Sequence, residues 1–370
     1  MKKARDKKIM FRNKKGIEVQ FNWIFILVVG ALVIFLFSRM ILMQKQSSEA
    51  SVAVMLRSKF QSFMVSSITN EDLSSEVNFQ TNEMSFGCDG FSVAGRKTAP
   101  VDVGVSFAQK LISTESGNLV VRTQVWSMPF KISNFIYITS PEVMYIFVDN
   151  GEDKELLNEI YAKMPEKMSK MQVSSGEVGY TITNSQNYNI RIILFEEEAD
   201  ADVLIEDLRK KSNKVSALNI IPVKSSDYAF DAGILTFYTA SSQQDSAYLG
   251  TASLMGAIFS DDAETYSCNM AKAFDKLSGM IDLYSERINL IQAEYDKIND
   301  YDKIDDQSAK LCTNYLNMIA DSLQKLKTDV SSKKISDFTE DKITNSLIPL
   351  LKTIDDKNRL LIRNSCPEIY

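Results

Sequence analysis

Two carboxylate runs stand where an α/β protein could use them. Asp149-Asn150-Gly151-Glu152-Asp153 follows Val148, and Glu196-Glu197-Glu198 follows Phe195. Each run closes an apolar segment of strand character, and open α/β sheets bind ligands beyond the carboxyl ends of their strands. Acids placed there hold a divalent cation, or divide the roles of general acid and general base. An enzyme would draw on Asp149, Asp153 and Glu196, Glu197 and Glu198. The competing reading is local: an acid just ahead of a helix caps its first turn and is stabilised by the helix dipole. Capping accounts for both runs. The expectation is therefore no catalytic, cofactor-binding or metal residue, no cofactor, and no enzyme.

Other residue types narrow the chemistry further. The chain has no histidine, which excludes His-based triads, His-ligated zinc and imidazole proton shuttles. Its four cysteines, Cys88, Cys268, Cys312 and Cys366, include no CxxC pair. No GxGxxG follows a strand, and neither GxxxxGK[ST] nor GxSxG occurs.

The elements that would carry the acids can be read from periodicity. Residues 119–126 and 131–139 alternate as half-buried strands do, while 143–148 (VMYIFV) is continuously apolar, as in a strand covered on both faces. A helix over 153–171, a strand over 189–195, a helix over 200–211 and strands over 215–223 and 233–239 complete a β-α-β-α-β alternation. That order predicts a mixed, partly parallel sheet with right-handed crossovers. The short apolar segment 248–259 (YLGTASLMGAIF) is too short to span a bilayer and reads as a core helix packed closely on the sheet.

Beyond it the period changes. Met270, Phe274, Leu277, Ile281, Tyr284, Ile288, Ile291, Tyr295 and Ile298 recur at spacings of four and three, a heptad seam. A polar break at 299–306 and another at 331–337 separate two further seams. These are Cys312, Leu316, Ile319, Leu323, Leu326 and Val330, then Ile343, Leu347, Leu350 and Ile354, with Pro349 a kink. Three helices with short connections predict an antiparallel helical bundle. Antiparallel packing brings Cys312, near the start of the second helix, to Cys366, just past the third. Cys268 lies about 45 Å along the first helix from that end, whereas bridged Cα atoms approach within about 7 Å. Of three possible connectivities, Cys312–Cys366 with Cys88–Cys268 is therefore expected.

The start of the chain is of another kind. Residues 1–16 carry eight Lys and Arg against Asp6 alone, and residues 21–37 (FNWIFILVVGALVIFLF) hold no ionisable side chain. The apolar stretch 21–43 would reach roughly 35 Å as a helix, enough for a bilayer core of about 30 Å. Basic residues on one flank favour keeping that flank in the cytoplasm. Val52, Leu56, Phe60 and Phe63 extend the pattern as an amphipathic helix over 50–64. The whole chain is −6, so the residues beyond the +7 leader carry −13, which argues against a nucleic-acid partner.

Lys14-Lys15-Gly16, then Ile17 and an apolar helix, resembles the class III (type IV pilin-like) signals of archaeal and bacterial surface filaments. The resemblance implies cleavage between Gly16 and Ile17 and packing of the exposed helix in a filament core. Phe21 stands where that family commonly has Glu, and Glu18 stands at the second mature position. More broadly, leader, anchor and exterior resemble archaeal single-pass membrane-anchored proteins.

The expected organisation is α+β / α/β: a basic cytoplasmic leader (1–20), a transmembrane helix (21–43) and an amphipathic helix (44–68). An extracytoplasmic α/β domain (75–240) and a helical bundle (246–366) complete the chain. The expected role is binding or assembly at the cell surface, with the lipid bilayer and a cell-envelope protein as partners. Two alternatives stay open: a pilin-like subunit processed after Gly16, and a membrane-tethered enzyme with a carboxylate site.

Overall fold

The computed structural model describes residues 15–69, 72–78, 83–88, 90–93, 96–97, 105–114, 117–151, 153–185, 188–211, 215–224, 228–239, 242–302, 307–332 and 334–370. The chain divides into two compact units between Val54 and Met55. Helix α1 (Lys15–Thr69) forms the first unit and begins the second. Within it, Trp23–Lys45 has a mean hydropathy of 2.7 and is, among the described residues, the one helix long and apolar enough to cross a membrane. None of its side chains is buried in protein. Leucine, isoleucine and phenylalanine face outward on every side, a surface that suits hydrocarbon and not water. Helix α1 continues through 50–64, but the side chains of Val52, Leu56, Phe60 and Phe63 lie outside the described ones, as does the leader before Lys15.

Among the described residues of the second unit eight strands come first: β1 (Ser74–Asn78), β2 (Glu83–Gly87), β3 (Gly90–Val93), β4 (Arg96–Lys97), β5 (Val105–Ala108), β6 (Leu111–Ser113), β7 (Asn118–Ser127) and β8 (Lys131–Thr139). They form two four-stranded sheets, ordered β1-β7-β8-β5 and β4-β3-β2-β6. Next come β9 (Val143–Asp149), α2 (Lys154–Lys163), β10 (Ser169–Ser174), α3 (Val178–Asn184), β11 (Asn189–Leu194), α4 (Glu198–Lys211), β12 (Val215–Pro222), β13 (Ala232–Tyr238) and β14 (Gln243–Leu249). These strands build a six-stranded sheet ordered β10-β9-β11-β12-β13-β14. Its first four strands are parallel and its last two antiparallel, so the sheet is mixed.

Alternation along each strand divides the side chains between the sheet's two faces. Ile146, Val148, Ile190, Ile192 and Leu194 meet Val178 and Ile182 of α3 and Ile205 and Leu208 of α4 in one cluster. Tyr145, Phe147, Ile193, Leu218, Leu235 and Phe237 join a larger cluster on the other face. At its centre lies α5 (Thr251–Phe259), every residue of which from Ala252 to Phe259 is buried. This helix packs against β14 on one side and β5, β7 and β8 on the other, as the close-packing expectation for this segment requires. A Cβ on Gly256 would sit 2.9 Å from the Phe107 ring, so glycine permits the approach. The same core continues into α6 (Ala263–Asp302) and α7 (Gln307–Ser332). It ends on α9 (Ile348–Arg363), which comes after the single turn α8 (Glu340–Lys342) and a π-helical turn, Ile343–Leu347. Helix α7 packs against both α6 and α9.

Three expectations are corrected. The helix expected over 153–171 stops at Lys163, because Pro165 cannot continue it, and the chain turns into strand β10 beside β9. Residues 243–249 form strand β14, so the apolar segment 248–259 divides between a strand and a helix. The third helical seam changes phase at the π turn, which inserts one residue per turn. Ile343, Leu347 and Ile354 are buried as expected, while Leu351 is buried in place of Leu350 and Ile348 joins the core. Pro349 stands in the first turn of α9, directly after the π turn.

Candidate functional site at the carboxyl end of the sheet

The two cysteine pairs are Cys88 with Cys268 and Cys312 with Cys366, each with Cα atoms 5.8 Å apart. Cys312 and Cys366 are buried beside the α7–α9 contact, while Cys88 lies on an exposed turn. Lys272 of α6 also donates to the Cys88 carbonyl. Gly16 and Ile17 fall in the first residues of α1.

The strand-end acids do not converge. Asp149 accepts the Gly151 amide at 3.0 Å, pairs with Lys154 at 3.0 Å and takes a hydrogen bond from Gln172 of β10 at 3.1 Å. The Lys154 bond, then the Gly151 bond, hold its carboxyl below the ordinary carboxylate range. Asp153 sits at the start of α2, but its side chain caps nothing. Its backbone is left-handed (φ 40°), and its carboxylate pairs with Lys224 at 2.9 Å. Glu196 accepts the Ser175 hydroxyl at 3.2 Å. The Glu197 carbonyl receives the Asp200 and Ala201 amides, so the Glu run does open α4 as expected. Glu152 and the Glu198 side chain lie outside the described residues. The second run thus stands at the first turn of α4, where the helix dipole favours negative charge, while Asp149 and Asp153 of the first run serve a turn and ion pairs. Among the described residues no group of three His, Cys, Asp or Glu could hold a metal ion.

Asp153 nevertheless has company. The Lys224 pair places it on the rim of a cleft of about 350 Å³ at the carboxyl end of β12, also lined by Glu155, Glu159, Asp231, Tyr228 and Tyr248. Each element contributes for a local reason. Helix α2 presents Glu155 and Glu159 on one exposed face at a spacing of four. Asp231 closes the β12–β13 connection; its carbonyl accepts the Gly250 amide and its carboxylate accepts the Thr251 hydroxyl. Tyr248 of β14 lies directly across from Gly233 of β13. A Cβ on Gly233 would meet the Tyr248 ring at 2.6 Å and the Ile221 carbonyl at 2.4 Å, so only glycine lets the ring lie flat across the strand. Tyr248 is 1% exposed, yet its phenol has no hydrogen-bond partner among the described residues. Burial, and then the nearby carboxylates of Asp231 and Asp153, keep that phenol protonated far above the usual range.

Sequence reasoning finds Asp153 and misses the rest. Glu155, Glu159 and Asp231 belong to no motif in the sequence, and Tyr248 reads as part of a core helix. The pairing of Gly233 with Tyr248 across a sheet is a tertiary relation, and the one signal for it is the small residue within the apolar run 232–238.

A second cleft, of about 510 Å³, opens at the amino end of the same strands. There the Asp261 carboxylate accepts the Lys110 amide at 3.2 Å, and Lys110 Nζ reaches Asp262 at 2.7 Å and Glu264 at 3.5 Å. Behind it Arg191, fully buried on β11, donates to the carbonyls of Ala257 (3.1 Å), Ala217 (3.2 Å), Ile258 (3.4 Å) and Asp261 (3.5 Å). It satisfies the open carbonyls at the end of α5. Desolvation lowers its pKa to about 10, which leaves it charged at neutral pH.

No protein-family model, curated protein or solved structure matches this chain.

Proposed function

We propose that the protein is a single-pass membrane-anchored surface protein that works by binding or assembly within a cell-envelope complex. In this reading the basic leader stays in the cytoplasm, Trp23–Lys45 crosses the bilayer and the second unit lies outside the cell. The observation that carries the reading is the pairing of one strongly apolar span with four cysteines, all beyond it and all in bridging pairs. Disulfides persist in oxidising compartments, and the basic flank favours the orientation that puts them there. Binding is preferred to catalysis because Asp149, Asp153 and Glu196 are each engaged by different partners. Protease added to intact cells should remove the second unit and leave a short membrane fragment. Protection of that unit until the cells are permeabilised would sink the orientation.

A second reading has its own support. Helix α1 runs unbroken from Lys15 to Thr69, the long first helix that a pilin-like subunit uses to build a filament core. Amino-terminal sequencing of the mature protein separates the two: Ile17 leads if the signal is processed after Gly16, and Met1 persists if the helix is a plain anchor.

A further inference from the structure

The cleft at the carboxyl end of the sheet has the makings of a built site. Four carboxylates line it, of which Asp153 is paired with Lys224 and Glu159 with Lys163, and the remaining excess of negative charge repels anions and attracts cations. Among the described residues the acids present no chelating cluster, which leaves a bare metal ion without its ligand set there. Three aromatic side chains, Tyr228, Phe230 and Tyr248, line the same space, and aromatic faces attract organic cations. A volume of about 350 Å³ suits a small molecule. The Tyr248 ring is buried and seated over Gly233, while its hydroxyl has no hydrogen-bond partner among the described residues and is not sealed from solvent, so it can meet a ligand in the cleft. The chain itself demonstrates the preferred chemistry. Lys224, on a side chain 79% exposed, reaches back to place its ammonium on Asp153.

We propose that this cleft binds a small organic ammonium ion, its charge held by Asp153 and Asp231 and one N–H donated to the Tyr248 hydroxyl. Lys224 is then a tethered competitor for Asp153. The binding does not depend on which side of a membrane the cleft faces.

The test is calorimetric titration of the full chain in detergent micelles at low salt, with putrescine as the probe. One saturable site is expected, and succinate, a dianion of the same chain length, should give none. Tyr248→Phe keeps the ring and removes only the hydroxyl; it should weaken binding about tenfold, as should Asp231→Asn. Lys224→Ala should tighten binding about threefold or more, which a purely structural lysine would not do. Lys224 is on the surface, so that variant folds whatever the others do. No saturable heat with either the wild type or Lys224→Ala overturns the proposal. So does putrescine binding that Tyr248→Phe and Asp231→Asn both leave unchanged, or equal binding of succinate.

Discussion

At the amino end of the parallel strands Lys110 stands between Asp262 and Glu264, and Arg191 directs its N–H groups onto four carbonyls. At the carboxyl end four carboxylates share a cleft with Lys224, and the Tyr248 hydroxyl opens on it with no protein partner among the described residues. One sheet therefore carries two polar ends of opposite design. Buried polar groups that are fully satisfied rigidify a fold, whereas an unsatisfied one in a cleft is a place for a ligand. The contrast separates a charge that holds elements together from charges that face outward.

The largest effect should come from removing the structural charge. Arg191→Ala withdraws the donors from the end of α5 and leaves a void beside Phe237, for a loss of about 3–5 kcal/mol in urea denaturation. A loss below about 1 kcal/mol would mean that the amino end is not built on this residue. Gly233→Ala drives a methyl into Ile221, Pro222 and Tyr248, and about 1–3 kcal/mol should be lost. Its signature should be a changed near-ultraviolet circular dichroism spectrum as the Tyr248 ring moves. An unchanged spectrum would disconnect Gly233 from that ring.

The third effect is smaller and depends on pH. Burial, then the charge of Asp262, raises the Asp261 carboxyl above its ordinary value, while the Lys110 amide and Arg191 pull it down. A raised pKa in the folded state means that folding favours the protonated acid. Its contribution is fully present below the ordinary carboxylate range and is lost as pH rises through the raised value. Asp261→Asn should therefore gain most over the wild type at neutral pH, and the gain should fade on acidification toward pH 4. Denaturation midpoints at a series of pH values will read this, and a gain that grows in acid has the wrong sign. Smallest of all, Lys224→Ala should leave stability within about 0.5 kcal/mol, because its ion pair is at the surface. A larger loss would make Lys224 structural and erase the contrast between the two ends.

Much of the scaffold was legible from periodicity. A continuous apolar run marked β9, apolar-rich segments marked β11 and β12, and the heptad spacing of Met270 to Ile291 marked the inner face of α6, because burial on one or both faces leaves a pattern in sequence. The cysteine pairing came from helix lengths and the antiparallel packing expected of neighbouring helices. The features that escaped depend on context. Strand β10 (SKMQVS) is an edge strand with a single buried residue, so it carries little apolar signal. The π turn at Ile343–Leu347 moves the buried face by one residue without any composition that marks it. Arg191 sits in a strand of otherwise apolar residues, where an arginine contradicts burial until the end of α5 is seen beside it. The carboxyl-end cleft was half visible: Asp153 stood out, but its neighbours come from a helix face, a loop and a strand that only the sheet brings together.

Helix α5 has a consequence of its own. Nine residues long and enclosed along its whole inner length, it acts as the axle between two sheets that share no strand. Neither sheet can separate from the other without stripping it bare, and Arg191 ties its far end to one of them. Opening motions of the second unit should therefore begin at its periphery. The amides of α5 should be among the last to exchange with solvent deuterium, long after those of the exposed helix faces.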